Sequence, residues 1–236
     1  MKVLGREIDD RIDPMYREVA GRVGTQTNRE LRIVGDEGGE LSHVKWAAKT
    51  VTISLHTGIP THALPHALAV ALQHVRQTLD GYPLVRKPAG RQPEGSELVR
   101  GALRELVLEP DAEVAVAPLG LDREWEHEQR HQAMKDLLKD PPADWNDEGS
   151  LGCDFIALQM ARLELSHPPQ MYEALRKRVE EALPVAAQRG RLAALALRRK
   201  RWGTPRAALE SLVNVRDELG LGDVATIEDA RTKQTF

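Results

Sequence analysis

A chain of 236 residues carrying a net charge of −3 is long enough for one large domain or a core with an appendage, and too mildly charged to be drawn as a whole to nucleic acid or acidic membranes. Aromatic residues make up only 4%, so the interior must be built mostly from Leu, Val and Ala. The single cysteine, Cys153, excludes an internal disulfide framework; the first residues hold no apolar leader and no apolar run nears the roughly 20 residues of a membrane span, which together predict a cytoplasmic protein.

Ile12, Met15, Tyr16, Val19 and Val23 recur at helical spacing and predict a helix over 9–24. Residues 30–35 and 43–56 read as strands of a small antiparallel sheet, separated by the turn-rich Asp36-Glu37-Gly38-Gly39-Glu40. Within the second run Val51, Ile53 and Leu55 alternate with Thr50, Thr52 and Ser54, the pattern of a sheet with one wet face. Residues 50–58 read as an edge strand. A helix follows, with Thr61 as its N-cap and Pro65 tolerated in its first turn. Leu64, Leu68, Val70, Leu72, Val75 and Leu79 spread round most of its circumference, so it is predicted to be buried. It ends at Gly81.

After a Pro/Gly-rich loop (86–95), Ser96 caps a helix over about 97–108 that Glu109-Pro110 should stop. A charged helix is expected over 122–139, another over 147–165, one or two over 169–200, and a last one from Pro205 to 218. The fold class that follows is α+β, mostly α, with a helical C-terminal half. Residues 1–168 form the expected core, and 169–236 a helical extension or a further part of the same domain.

The strand, the buried helix and the Gly81-Tyr82-Pro83 turn resemble the minimal domain of zincin metallopeptidases of the gluzincin type in bacteria, over roughly residues 10–125. The resemblance implies a helix bearing His-Glu-x-x-His. Val70 stands where the first ligand histidine should be and Ala71 where the general-base glutamate should be; His74 alone remains. Leu103–Pro110 resembles the second helix that supplies a glutamate ligand, with Arg104 at that position and Glu105 beside it. A peptidase needs three protein ligands, an open position for water and a base. The resemblance therefore implies a zincin-like protein with a degenerate site and no zinc, acting as a binding or scaffolding module for a protein partner.

Three other arrangements carry chemistry. A literal motif occurs at His127-Glu128-Gln129-Arg130-His131, where two histidines four apart share a helix face with Met134 and Leu138. An active zinc peptidase would use His127 and His131 as ligands, Glu128 as base, and Glu148 or Asp154 as third ligand. His62 and His66 are also four apart and, with His74, make a three-histidine metal set conceivable. Finally, Arg198, Arg199, Lys200 and Arg201, beside Trp202, form a basic cluster able to contact nucleic acid. Against it stand the chain's overall acidity and the preference of cations for helix C-termini. The apolar faces of the C-terminal helices are compatible with a homodimer. Cys153, flanked by Gly152 and Asp154, reads as structural.

Overall fold

The computed structural model describes residues 1–198 and 203–236; the predicted nucleic-acid contacts Arg199, Lys200 and Arg201 lie outside the described residues. Contacts gather these residues into two units, Met1–Asp80 with Ala112–Glu128 and Gly81–Asp111 with Gln129–Phe236. The helices after residue 169 fall within the second.

The first unit opens with a two-residue hairpin between β1 (Lys2–Val3) and β2 (Arg6–Glu7), whose turn residues Leu4 and Gly5 both take positive φ. Helix α1 (Asp13–Thr27) buries Met15, Val19 and Val23 and ends at Asn28 in the left-handed region. Asn tolerates that conformation better than a β-branched residue would. Three strands follow, β3 (Glu30–Asp36), β4 (Ser42–Trp46) and β5 (Thr50–His56).

The sheet is mixed, not antiparallel as the sequence predicted. Its order is β3-β5-β4, with β5 parallel to β3 (Ile33 opposite Ile53) and antiparallel to β4 (Val44 opposite Ile53). The connection over 37–41 carries the chain past the end of β5 to the far edge, so β3 and β4, consecutive in sequence, are not neighbours in the sheet. Strand β5 is consequently the centre of the sheet and not an edge. Its outer face is correspondingly drier than alternation implied: Thr52 is half-buried and Ser54 is buried.

Helix α2 (Leu64–Leu79) contacts α1, β4 and β5. Its burial is as expected, with Leu64, Leu68, Leu72 and Val75 fully enclosed. Its start is not. The preceding residue is Ala63, with no capping side chain, so Thr61 is not the N-cap; Pro65 occupies the first turn, where its missing N–H costs no hydrogen bond. Beyond the C-cap Asp80, Gly81 takes φ +77°, a conformation that opens the chain into the second unit.

Helix α3 (Ser96–Val116) contains Pro110 in its interior, although the sequence predicted a stop there. Pro110 removes one backbone donor from the ladder. Burial on both sides of the proline, of Leu106, Val107 and Leu108 before it and Ala112 and Val116 after it, outweighs that loss. The hydroxyl of Ser96 donates to the Pro93 carbonyl at 2.8 Å. The helix supplies residues to both units, as does α4 (Glu124–Leu137).

The second unit adds β6 (Leu84–Arg86), α5 (Leu151–Ser166), α6 (Pro169–Ala182), α7 (Pro184–Arg198), α8 (Pro205–Glu218) and β7 (Thr226–Glu228), which pairs antiparallel with β6. Ser150 and Thr204 cap α5 and α8 by accepting from Cys153 N–H and Ala207 N–H. Pro184 divides the predicted 169–200 stretch into two helices. Helices α5 and α7 approach closely at Gly190, where a Cβ would stand 2.9 Å from the Ala157 carbonyl oxygen. Among the described residues no helix is long and apolar enough to cross a membrane.

Candidate functional site

The zincin-like positions of α2 are occupied by packing. Val70 is 3% and Ala71 1% exposed, and both belong to the apolar core of the first unit. His74 is buried, with its Nδ1 2.8 Å from Gln77 Oε1 one turn on. Arg104 and Glu105 lie in the second unit, where Glu105 accepts from Arg162. Neither valine nor alanine offers a lone pair to an ion or a base to water, so these positions do not fit a catalytic zinc.

The literal motif on α4 also departs from a ligand set. His127 is buried in the first unit at 3% exposure, whereas Glu128 faces solvent. His131 belongs to the second unit and stacks on His167, with ring centroids 6.4 Å apart and planes 26° from parallel. Burial, together with Lys135 and Arg178, holds the His131 imidazole below the usual histidine range. Glu148 is exposed and 3.5 Å from Arg189, whose guanidinium also donates to Asp154 at 2.5 Å. Burial pushes the Asp154 carboxyl up against that arginine's opposing pull. Cys153 is buried, and burial pushes its thiol up. In the basic cluster, Arg198 pairs with Glu164 at 2.7 Å.

His62 precedes α2, exposed and 3.9 Å from Asp122, so it does not share a helix face with His66. His66 itself anchors a different constellation. It sits in the first turn of α2, directed between the last turn of α3 and the first turn of α4. Its Nδ1 lies 3.0 Å from Glu126 Oε2 and its Nε2 3.1 Å from Glu113 Oε2. The three side chains are only 4%, 9% and 9% exposed. Burial disfavours the charged imidazole, but the hydrogen bonds and charges of Glu113 and Glu126 outweigh it and push His66 up to about 9. The imidazolium then donates from both nitrogens.

Among the described residues, these three form the one set of three His, Cys, Asp or Glu side chains whose potential ligand atoms all lie within 4.8 Å of one another. Sequence reasoning singled out His66 but missed both carboxylates. Glu113 stands beyond the proline read as a helix stop, and Glu126 is the residue just before the His-Glu-x-x-His match. No protein-family model, curated protein or solved structure matches this chain.

Proposed function

We propose that this protein is a non-catalytic binding or scaffolding module whose zincin-like resemblance is one of layout alone. The observation that carries this reading is the burial of Val70 and Ala71 in the apolar interior, at the positions where water activation would require a ligand and a base. The central place of β5 supports it further, because both backbone edges of that strand are already paired and none is left for an extended substrate.

The second unit offers a surface suited to a partner. A groove of about 480 Å³ is lined by Pro169, Tyr172 and Leu195 together with Arg176, Arg191, Arg198, Glu164 and His167. Apolar side chains beside three guanidiniums fit an acidic segment of another protein with one aliphatic anchor. Partner carboxylates would compete for these arginines with Glu180, which both Arg176 and Arg191 already contact, and with Glu164.

Two measurements test the reading. The full chain, supplied with zinc and a degenerate peptide mixture, is expected to generate no new peptide termini. Cleavage abolished by Glu128→Gln would instead establish a peptidase at 127–131. A labelled acidic peptide bearing one leucine is expected to bind, and to be released by the pair Arg191→Glu and Arg198→Glu. A short DNA duplex retained at about 0.15 M salt, where surface charges are well screened, would move the protein to the nucleic-acid class.

A further inference from the structure

We propose that His66, Glu113 and Glu126 bind a divalent transition-metal ion of the zinc or manganese type, held within the first unit and separate from the positions read as peptidase ligands. The proposal stands independently of the partner-binding reading above.

Three features support the site. The first is convergence. The first turn of α2, the last turn of α3 and the first turn of α4 each contribute one donor, from residues 47 and 60 positions away from His66. Two ligands of one ion at roughly 2.0–2.2 Å lie about 3–4.3 Å from each other. One ligand atom from each of the three residues lies within 4.8 Å of the other two, so side-chain adjustment brings the set into that range.

The second is charge. Two carboxylates enclose one imidazole in a space almost closed to solvent. Together the two carboxylates offer an ion two formal negative charges. A divalent ion with a neutral imidazole balances both carboxylates completely.

The third is donor chemistry. One imidazole nitrogen and two carboxylate oxygens, with no thiolate, suit zinc, manganese or cobalt better than a soft ion. The imidazole is already oriented on both sides.

The experiment measures metal directly. Full-length protein is stripped with a chelator and titrated calorimetrically with zinc and with manganese. A cobalt-loaded sample is read by visible absorption for ligand-field bands. Saturation at one ion per chain in the micromolar range is expected. Glu113→Gln combined with Glu126→Gln should weaken it at least about 100-fold, and His127→Ala combined with His131→Ala should leave it unchanged. Circular dichroism checks that each variant is folded. Should the glutamine pair fail to fold, Glu126→Asp, which retracts one carboxylate, is expected to weaken binding and alter the cobalt spectrum. Binding by wild type only at millimolar levels overturns the proposal. Stoichiometric binding indifferent to Glu113 and Glu126, or lost with His127 and His131, overturns it as well.

Discussion

A single imidazole held between two buried carboxylates makes stability depend on pH in a definite direction. In the metal-free protein His66 titrates at about 9, above its ordinary 6.5. Its stabilising contribution is therefore complete below about pH 6.5 and is lost as pH rises through about 9. We expect wild type to lose on the order of 3 kcal/mol across that window relative to His66→Gln. Denaturant midpoints of the two proteins at several pH values check this, and parallel profiles would show that His66 is neutral in the folded state. On α4, His127→Ala should cost about 1–3 kcal/mol, because the side chain is buried at 3% exposure. Its neighbour Glu128 faces solvent, so Glu128→Ala should change stability by less than about 0.5 kcal/mol. These two residues also show what a His-Glu-x-x-His spacing leaves open. Spacing along a helix reports which side chains share a face, but not whether that face is buried, and the two histidines of this match fall in different units. His66 was recognisable as a possible ligand; Glu113 and Glu126 were not, because contacts spanning 47 and 60 residues leave no local pattern.

The elements were legible wherever one face had a single clear destiny. Helix α2 is apolar round most of its circumference, and the structure buries it accordingly. Leu68→Ala or Leu72→Ala, each at a fully enclosed position, should cost roughly 2–5 kcal/mol. A loss below about 1 kcal/mol at both sites would mean that the helix does not carry the core. Helix α8 was likewise readable, opened by a proline that acts locally on the backbone, whereas the sequence left open whether 169–200 held one helix or the two that Pro184 divides. The same local rule failed at Pro110. Apolar residues on both sides of it are buried, and tertiary packing overrode the missing donor. Strand pairing was less legible still. Alternation identifies a strand and its inward face, but nothing in β3, β4 or β5 records which partner each meets across the sheet.

At the scale of the whole molecule, the two units are interleaved along the chain. The first takes residues 1–80 and then 112–128, and the second takes what lies between and after. This division has a consequence for the order of events during synthesis. When residue 80 leaves the ribosome, α1, the sheet and α2 are all present, yet His66 has neither carboxylate to meet, and Ala112 and Val116 are absent from the apolar core. The first unit must wait for a segment made only after another 30 or so residues, and closing that loop costs entropy before any contact repays it. We expect nascent chains arrested with residue 110 exposed to be cut readily by protease throughout 1–80, and protection to appear as a step once residue 128 has cleared the exit tunnel. A vectorially growing chain would thus hold an unfinished N-terminal portion through part of its translation.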